Sequence, residues 1–503
     1  MEPGSTVSTN GSTISTKAAQ ALLLALFVVN VYRAAVQSIT PPEAATYNRF
    51  VGPSLQDSLA LTTANNHVLN TLLARISTNV FHLTDLAFRL PSLLGGGLYF
   101  WAVFRLARRT FGSGPLFLAA VGLLSLNPLV LDYLSMARGY GLALAFWMWA
   151  LSLMLEYLES GQPVGGRQLN LAGMCVGLSV AANLAFLVTA AALAATFSFQ
   201  APPRQSGRRF QDFWLPAFVT AFLILVIPAN HTNFATFNHG ATSLRQTLNS
   251  LAALSLYHGN PAGLPPWLAA AVRVGAAVAA IGAGILTIGA AVPAIGARIL
   301  AIQSPATPTE NRGQSDRLPY LLAGTILVSF AGLELGHRVL GIAFPLARSG
   351  LYFIPVLTLA GLCLIRQINR RAAEWAMLLV SVVYLLQFNV HTYGEWPEYA
   401  NARSVIKAIR LDASSLDAPS TKAATPAGIP AARRPVRIAA SPGLDQVLNY
   451  YRARYALGSW PPVATGPGTG SFDYYALTRT DASLVTERHL RVIWHDGNLT
   501  VAR

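Results

Sequence analysis

The sequence predicts an α-helical polytopic membrane protein of about eleven transmembrane helices, followed by a small C-terminal α/β domain outside the membrane. Three observations predict it. Of the 503 residues, 53% are hydrophobic and only 11% charged, where ordinary soluble domains carry about 25% charged residues. Mean hydropathy is +0.44, and apolar runs of the length that crosses a bilayer, about 20 residues, recur as far as residue 392. The 36 basic residues behind the net charge of +15 cluster in short loops between those runs, as the positive-inside rule demands. In a soluble chain such charge would suggest nucleic acid; here no nucleic-acid partner is expected.

Taken in order, spans are expected near 18–36, 86–106, 115–134 and 139–157. Lys17 ahead of the first run resembles a signal-peptide start, but the many later runs make it an uncleaved first helix. The run 168–199 is too long for one span and carries Asn183 at its centre, so it is divided into two short helices. Runs near 213–229, 266–300, 319–337, 349–366 and 373–392 complete eleven. With the N-terminus inside, the basic stretches RLARR (105–109), RQSGRR (204–209), 298–317 and RQINRR (366–371) all fall on the cytoplasmic side. Undivided, 168–199 would place the later basic loops outside, and dividing 266–300 would break the same parity.

The outer side then holds the long connections 37–85 and 230–265, and the short 338–348 with Arg338 and Arg348. Within the first, LQDSLALTTANNHVLNTLLARI has apolar residues at helical spacing and predicts a helix over 54–77 lying in the interface. The second contains His231, His239 and His258. Beyond Tyr393 the chain becomes water-soluble. A Pro/Ala/Ser-rich linker (411–435) leads to VRIAA, a helix-like LDQVLNYYRARY, FDYYAL and HLRVIWHDGNLTVAR, whose Asp496-Gly497 is a strong hairpin signal. The expected division is a membrane domain, 1–392, and an extracytoplasmic domain, 393–503. Cys175 and Cys363 lie in apolar segments and offer neither a disulfide framework nor metal spacing. No cofactor is demanded by these residues, and a divalent metal is admitted rather than required.

Several polar residues sit where an apolar chain would not place them idly. Glu43, in SITPPEAATYNRF, follows two prolines at the exit of the first span; it reads either as a solvated loop acid or as a base at the membrane surface. Asn66 and His67, in ANNHVLNTLL, suit a capping role or a site. Arg89 opens the second span in FRLPSLLGGG, where a snorkelling arginine is the bland account. The stretch LNPLVLDYLSMARGYGLALAF puts Asp132, Arg138 and Tyr140 at the outer turn between spans three and four. Ionisable groups at that depth pair with one another or face a cavity. Asp132–Arg138 pairing is one account, and phosphate binding by the Arg138 guanidinium is the other. Arg348, in FPLARSGLYFIPV, invites the same reading.

The order of these features resembles the GT-C membrane glycosyltransferases, in the branch of the protein O-mannosyltransferases and the lipid A aminoarabinose transferase (glycosyltransferase family 39-like). An acid follows span one, and a histidine lies on the outer-loop helix. RLPS stands at span two, ARGYGL at span four and RSGLYFIP late in the chain. The likeness covers the membrane region and, more weakly, the C-terminal domain. It implies a GT-C-like fold, a polyprenyl-phosphate-linked sugar donor, work on the outer face, and arginines such as Arg138 bound to the lipid-linked phosphate. The branch carries Asp-Glu in the first outer loop; this sequence has Pro42-Glu43, so either Glu43 takes over as base or the activity is altered. The branch often has His-Pro where this chain has His67-Val68, which weakens the transfer of that role.

The function so implied moves a sugar from polyprenyl phosphate to an acceptor hydroxyl on a lipid, glycan or protein, with inversion, among membrane lipids. Glu43 is the expected base; Arg138, Tyr140, His67, Asn66, Arg89 and Arg348 are expected to bind substrate. The expected location is a bacterial inner membrane, N-terminus cytoplasmic. Two rivals remain: a catalytically silent GT-C relative, favoured by the missing acid, and a lipid-linked glycan transporter. A transporter would show charges at span centres and repeated halves, and Arg273 and Glu334 lie near span ends.

Overall fold

The computed structural model describes residues 6–59, 66–160, 166–200, 210–229, 240–255, 317–368, 371–416, 435–466 and 470–503. The first apolar run forms helix α1, Thr6–Val36. Pro41 and Pro42 then open helix α2, Pro41–Thr46, at positions where a missing N–H breaks no hydrogen bond. The chain continues through a π-helical turn, Tyr47–Val51, to the single turn α3, Leu55–Ser58.

The continuous interfacial helix expected over 54–77 is in fact two pieces, α3 and α4 (Val68–Phe81), with 60–65 outside the described residues. Ser58 and Asn66, which a surface helix would leave in water, are buried. The Ser58 hydroxyl donates to the Phe50 carbonyl, and Asn66 Oδ1 accepts from the Thr71 hydroxyl at 2.8 Å. A buried polar group must find such partners, and these two find them within eight residues of themselves.

Helix α5, Asp85–Phe111, carries Arg89 and Pro91. The run 115–134, expected as one span, is broken into α6 (Pro115–Ser125) and α7 (Pro128–Tyr133). Asn127 Oδ1 accepts from the Val130 N–H, so a fresh N-terminus starts there with Pro128 at its first position. Helix α8 is Tyr140–Glu159. The division of 168–199 falls at Asn183: α9 (Gly166–Ala182) ends, Asn183 Oδ1 accepts from the Ala185 N–H at 3.0 Å, and a short 3-10 turn leads into α10, Leu187–Gln200.

There follow α11 (Leu215–Ala229), α12 (Leu244–Ser255), α13 (Arg317–Leu340), α14 (Phe353–Ile368) and α15 (Arg371–Leu386). The 266–300 run, and His231, His239 and His258, lie outside the described residues. Arg338, expected in an outer loop, is still on α13 and pairs with Glu334 one turn back on an exposed face. Among the described residues five helices are long and apolar enough to cross a membrane: Thr13–Val36, Asp85–Phe111, Tyr140–Glu159, Gln211–Pro228 and Arg317–Leu340. Shorter apolar helices cover Pro115–Ser125, Leu184–Gln200 and Phe353–Gln367. Their outward residues include Leu24, Leu94, Trp101, Phe218, Leu223 and Leu335, a surface that suits lipid rather than water.

The chain divides into two compact units. The first comprises Met1–Tyr32, Leu59–Leu73 and Arg89–Asn389; the second comprises Arg33–Ser58, Ala74–Phe88 and Val390–Arg503. In the first, α9 packs between α8 and α11, α10 on α13, and α6 on α15. The α9–α11 seam depends on Gly173 and Gly177. A Cβ at Gly173 would sit 2.2 Å from the Phe213 carbonyl oxygen, and one at Gly177 2.5 Å from that of Ala217. This is the small-residue approach that lets helices meet closely in lipid.

The second unit holds α16, Ala402–Leu416, so part of the expected linker is helix. Val405, Ile406, Ile409 and Ala413 are buried at helical spacing, enough to hold the element together. A mixed five-stranded sheet follows, in the order β2-β1-β3-β5-β4. Its strands are β1 (Ile438–Ala440), β2 (Ala464–Thr465), β3 (Tyr474–Thr478), β4 (Val492–His495) and β5 (Leu499–Ala502). Strand β1 is parallel to β2 and β3, and β5 is antiparallel to β3 and β4. The Asp496-Gly497 turn joins β4 to β5, with Gly497 at φ 92°. The LDQVLNYYRARY stretch is α17, Leu444–Arg454.

Candidate functional site

In the first unit, four sequence-selected residues come together. His67 packs edge-on against Tyr140, ring centroids 5.0 Å apart, and Tyr140 against Tyr133 at 4.8 Å. Arg138, just before Tyr140, is fully buried. Gly139 between them makes the junction: a Cβ there would lie 2.0 Å from the Ala182 carbonyl oxygen and 2.7 Å from His67 Cβ. No other residue lets the ARGY turn slide under the end of α9 and the start of α4. Asn66 braces that start through Thr71.

Ser92, last residue of the RLPS string, ties the second span to the same place. Its hydroxyl lies 3.1 Å from the Arg138 carbonyl oxygen and 3.4 Å from Asn70 Oδ1. Sequence reasoning passed over Asn70 and Ser92. Their signal was spacing: Asn66, Asn70 and His67 all fall on one turn of the helix start, and Ser92 is three residues beyond Arg89. Arg89 itself is wholly buried, so it does not snorkel out to water from the end of α5.

Arg348 stands in a 3-10 turn, Ala347–Gly350, and is half-buried. Ala347 before it has φ 53°, a left-handed conformation that costs an L-residue about 1–2 kcal/mol. The Ser250 hydroxyl, accepting the Ala347 N–H at 2.9 Å, holds it there. Burial, and then the charges of Arg138 and Arg348, push the His67 imidazole well below its ordinary value. His67 is therefore neutral at pH 7, and its Nε2 is buried with no hydrogen-bond partner, as is Asn70 Nδ2. The charges of Arg138 and Arg348 thus reach a place where a neutral imidazole and a carboxamide each keep a buried nitrogen unsatisfied.

Glu43 belongs to the second unit. It is completely buried at the third position of α2, and its Oε2 accepts from both the N–H and the hydroxyl of Thr40, each at 2.9 Å. This is the acidic half of a capping box, so the solvated-loop account does not hold. The two prolines occupy the first helical positions and the acid closes the turn.

The second unit also contains a centre that the sequence did not disclose. Asp85, nearly inaccessible, forms ion pairs with Arg403 and Arg454. It also accepts from Tyr450 Oη at 3.0 Å and Tyr451 Oη at 3.3 Å. Burial, then the Asp85 charge, push both phenols up, so they stay protonated donors. The partners lie more than 300 residues away in sequence, which is why no local pattern announces them. Among the described residues no three or more His, Cys, Asp and Glu side chains gather as a metal site would need.

Residues 68–231, which include His67's helix, Arg89, Arg138 and Tyr140, match a known family. It is the dolichyl-phosphate-mannose-protein mannosyltransferase family. The chain is a multi-pass membrane protein. Among solved structures, ArnT from Cupriavidus metallidurans in the apo state is 14% identical with a TM-score of 0.46, over 96% of this chain and 97% of that one. The same protein bound to undecaprenyl phosphate is 13% identical with a TM-score of 0.45, over the same shares. The oligosaccharyltransferase AglB from Archaeoglobus fulgidus, in complex with an inhibitory peptide and a dolichol-phosphate, is 12% identical with a TM-score of 0.45, over 93% of this chain and 70% of that one. A comparison with curated proteins finds no match.

Proposed function

We propose that this protein is an integral-membrane glycosyltransferase that moves a sugar from a polyprenyl-phosphate donor to an acceptor hydroxyl on the outer face, with inversion. The observation that carries the reading is the His67–Tyr140–Arg138 cluster with Arg348's charge reaching it, of which Arg138 and Tyr140 fall within the segment, 68–231, that matches the mannosyltransferase family. Arg138 and Arg348 hold the donor phosphate, with Arg89 adding positive charge. Neutral His67 and Asn66 supply polar contacts, and Tyr140 orients the imidazole. Glu43 takes the acceptor proton. The acceptor oxygen then forms the bond to the anomeric carbon as the carbon–phosphate-oxygen bond breaks, and polyprenyl phosphate leaves with the electron pair, its growing charge met by the guanidinium groups. The membrane part, 1–392, carries the donor, and 393–503 lies outside the membrane.

Glu43→Gln tests this. Glutamine also completes a capping box, so α2 keeps its start while the proton acceptor is lost. Turnover of a polyprenyl-phosphate sugar should fall about a hundredfold or more, with thermal unfolding unchanged. Asp57→Asn is the control: its carboxylate accepts from the Ser54 N–H and hydroxyl on an exposed turn and turnover should hold. Equal turnover of Glu43→Gln and the unaltered protein would remove Glu43 as base. A second reading, a silent relative, is favoured by Pro42 in place of an acid and by the structural work Glu43 does; donor binding without transfer to any acceptor would support it.

Orientation is checked separately. A cysteine placed at Gly458, an exposed position, should react with an impermeant maleimide in intact cells. Labelling only after permeabilisation would put the C-terminal region on the cytoplasmic side.

A further inference from the structure

The second unit contains a cavity of about 430 Å³, lined by Tyr47, Asn48, Gln446, Asn449, Arg452 and Pro462 among others, a size in the range of small-ligand sites, about 300–1,000 Å³. We infer that this groove, between the Tyr47–Val51 turn and α17, binds a hydroxyl-rich glycan segment and is where the acceptor is held. The proposal rests on the transferase reading for the word acceptor, but not for the binding.

The lining decides the chemistry. Three carboxamides, a phenol and a guanidinium face the space, with no carboxylate and no large aliphatic side chain. A lipid tail has nothing there to pack on, and a metal ion has no acid to hold it. Asn449 bonds Val463, Asn48 bonds Gln446 and Gln446 bonds Asp445. An amide NH2 carries two donors, however, and an amide oxygen two acceptor sites, so each keeps capacity for a sugar hydroxyl, and Tyr47 adds a ring for a sugar face. Arg452 donates through one terminal nitrogen to the Trp460 carbonyl, and its Nε is buried without a partner.

A peptide is disfavoured for a specific reason. The sheet edge beside the groove is β2, and an incoming strand would need free backbone groups there. Those of Val463, next to β2, are both taken by one side chain. Asn449 Oδ1 accepts the Val463 N–H at 3.0 Å, and Asn449 Nδ2 donates to the Val463 carbonyl at 3.3 Å. The edge is closed at that residue, while Asn48 is held over the groove by its bond to the Gln446 carbonyl at 2.9 Å.

The location fits an acceptor. Tyr47 lies four residues after Glu43 on the continuous helical segment from α2 into the following turn, so both fall on the same side, one turn apart. Glu43 itself is buried against Thr40 and does not line the groove, so the groove holds the body of the glycan and not the reacting hydroxyl.

The test uses the full-length protein in nanodiscs and saturation-transfer NMR with methyl α-mannoside, methyl β-galactoside and their disaccharides. A Ser/Thr-rich peptide is the comparison. Saccharide signals are expected, weakened about tenfold by Tyr47→Phe, which removes one hydroxyl contact. They should be abolished by Ala453→Trp, which fills the groove from an exposed helix position and breaks no hydrogen bond. Unchanged melting temperatures show that both variants fold. No saccharide signal, equal signal in Ala453→Trp, or preference for the peptide would overturn the proposal. Polyprenyl phosphate binding is measured on the same unaltered protein: saccharide binding without donor binding sinks the transferase reading and spares the groove, and the reverse sinks the groove alone.

Discussion

Asp85→Ala should unfold the second unit at markedly lower temperature than the unaltered protein, with a loss of about 3–5 kcal/mol, the usual cost of removing one partner from a buried ion pair. Arg403 and Arg454 retain under a fifth of their exposure, so solvent cannot take over the role of the carboxylate. Two phenols lose their acceptor at the same stroke. Asp85→Asn keeps the size and one acceptor oxygen and should lose less. The readout is limited proteolysis and hydrogen exchange across 444–454, because α17 supplies Tyr450, Tyr451 and Arg454. If Asp85→Ala exchanges there at the unaltered rate, the network does not hold the unit together. A double variant, Asp85→Leu with Arg403→Met, should recover part of the loss, since it removes one of the two orphaned guanidinium groups and leaves only Arg454 without its carboxylate.

The second large effect concerns the donor. Arg138→Ala should weaken polyprenyl phosphate binding by about 2–5 kcal/mol, as losing one member of a desolvated charge pair does, and so on the order of thirtyfold or more. Arg138→Lys should restore only part, because the ammonium lacks the planar fork that meets two phosphate oxygens. Arg138 is wholly buried, so its loss also threatens folding. Arg348→Ala, at a half-buried turn, separates the two effects: it should weaken binding with no change in melting temperature. Full phosphate affinity in a folded Arg348→Ala protein, together with equal damage from Asp132→Asn and Arg138→Ala to folding alone, would make these arginines structural.

The two centres differ in how they were reached. Arg138 and Tyr140 were visible as ionisable and aromatic residues in an apolar neighbourhood, where they cost too much to be accidental. Asp85 was equally costly and equally visible, yet it sat at the start of a helix, where an acid is commonplace. Only its partners make it unusual, and they come from the far end of the chain. Glu43 was legible as a residue of interest but not as a capping acid. The Thr-Pro-Pro-Glu order contains that answer, once the turn is known to be helical.

What the sequence determined by itself is whatever depends on solvent and on neighbours within a few residues. Apolar length marked the helices, Asn183 marked the break in 168–199, and Asp496-Gly497 marked the hairpin, because each is a local preference of backbone or side chain. Local preference also erred locally, taking 115–134 as one span although Asn127 and Pro128 start a new helix within it. Tertiary structure alone decided which polar groups meet. It set His67 on Tyr140 through the missing Cβ of Gly139, and closed the edge beside β2 with Asn449. It also brought two arginines and two tyrosines around one aspartate. Such contacts join residues tens to hundreds of positions apart, and their energy depends on burial and geometry that exist only once the chain has packed.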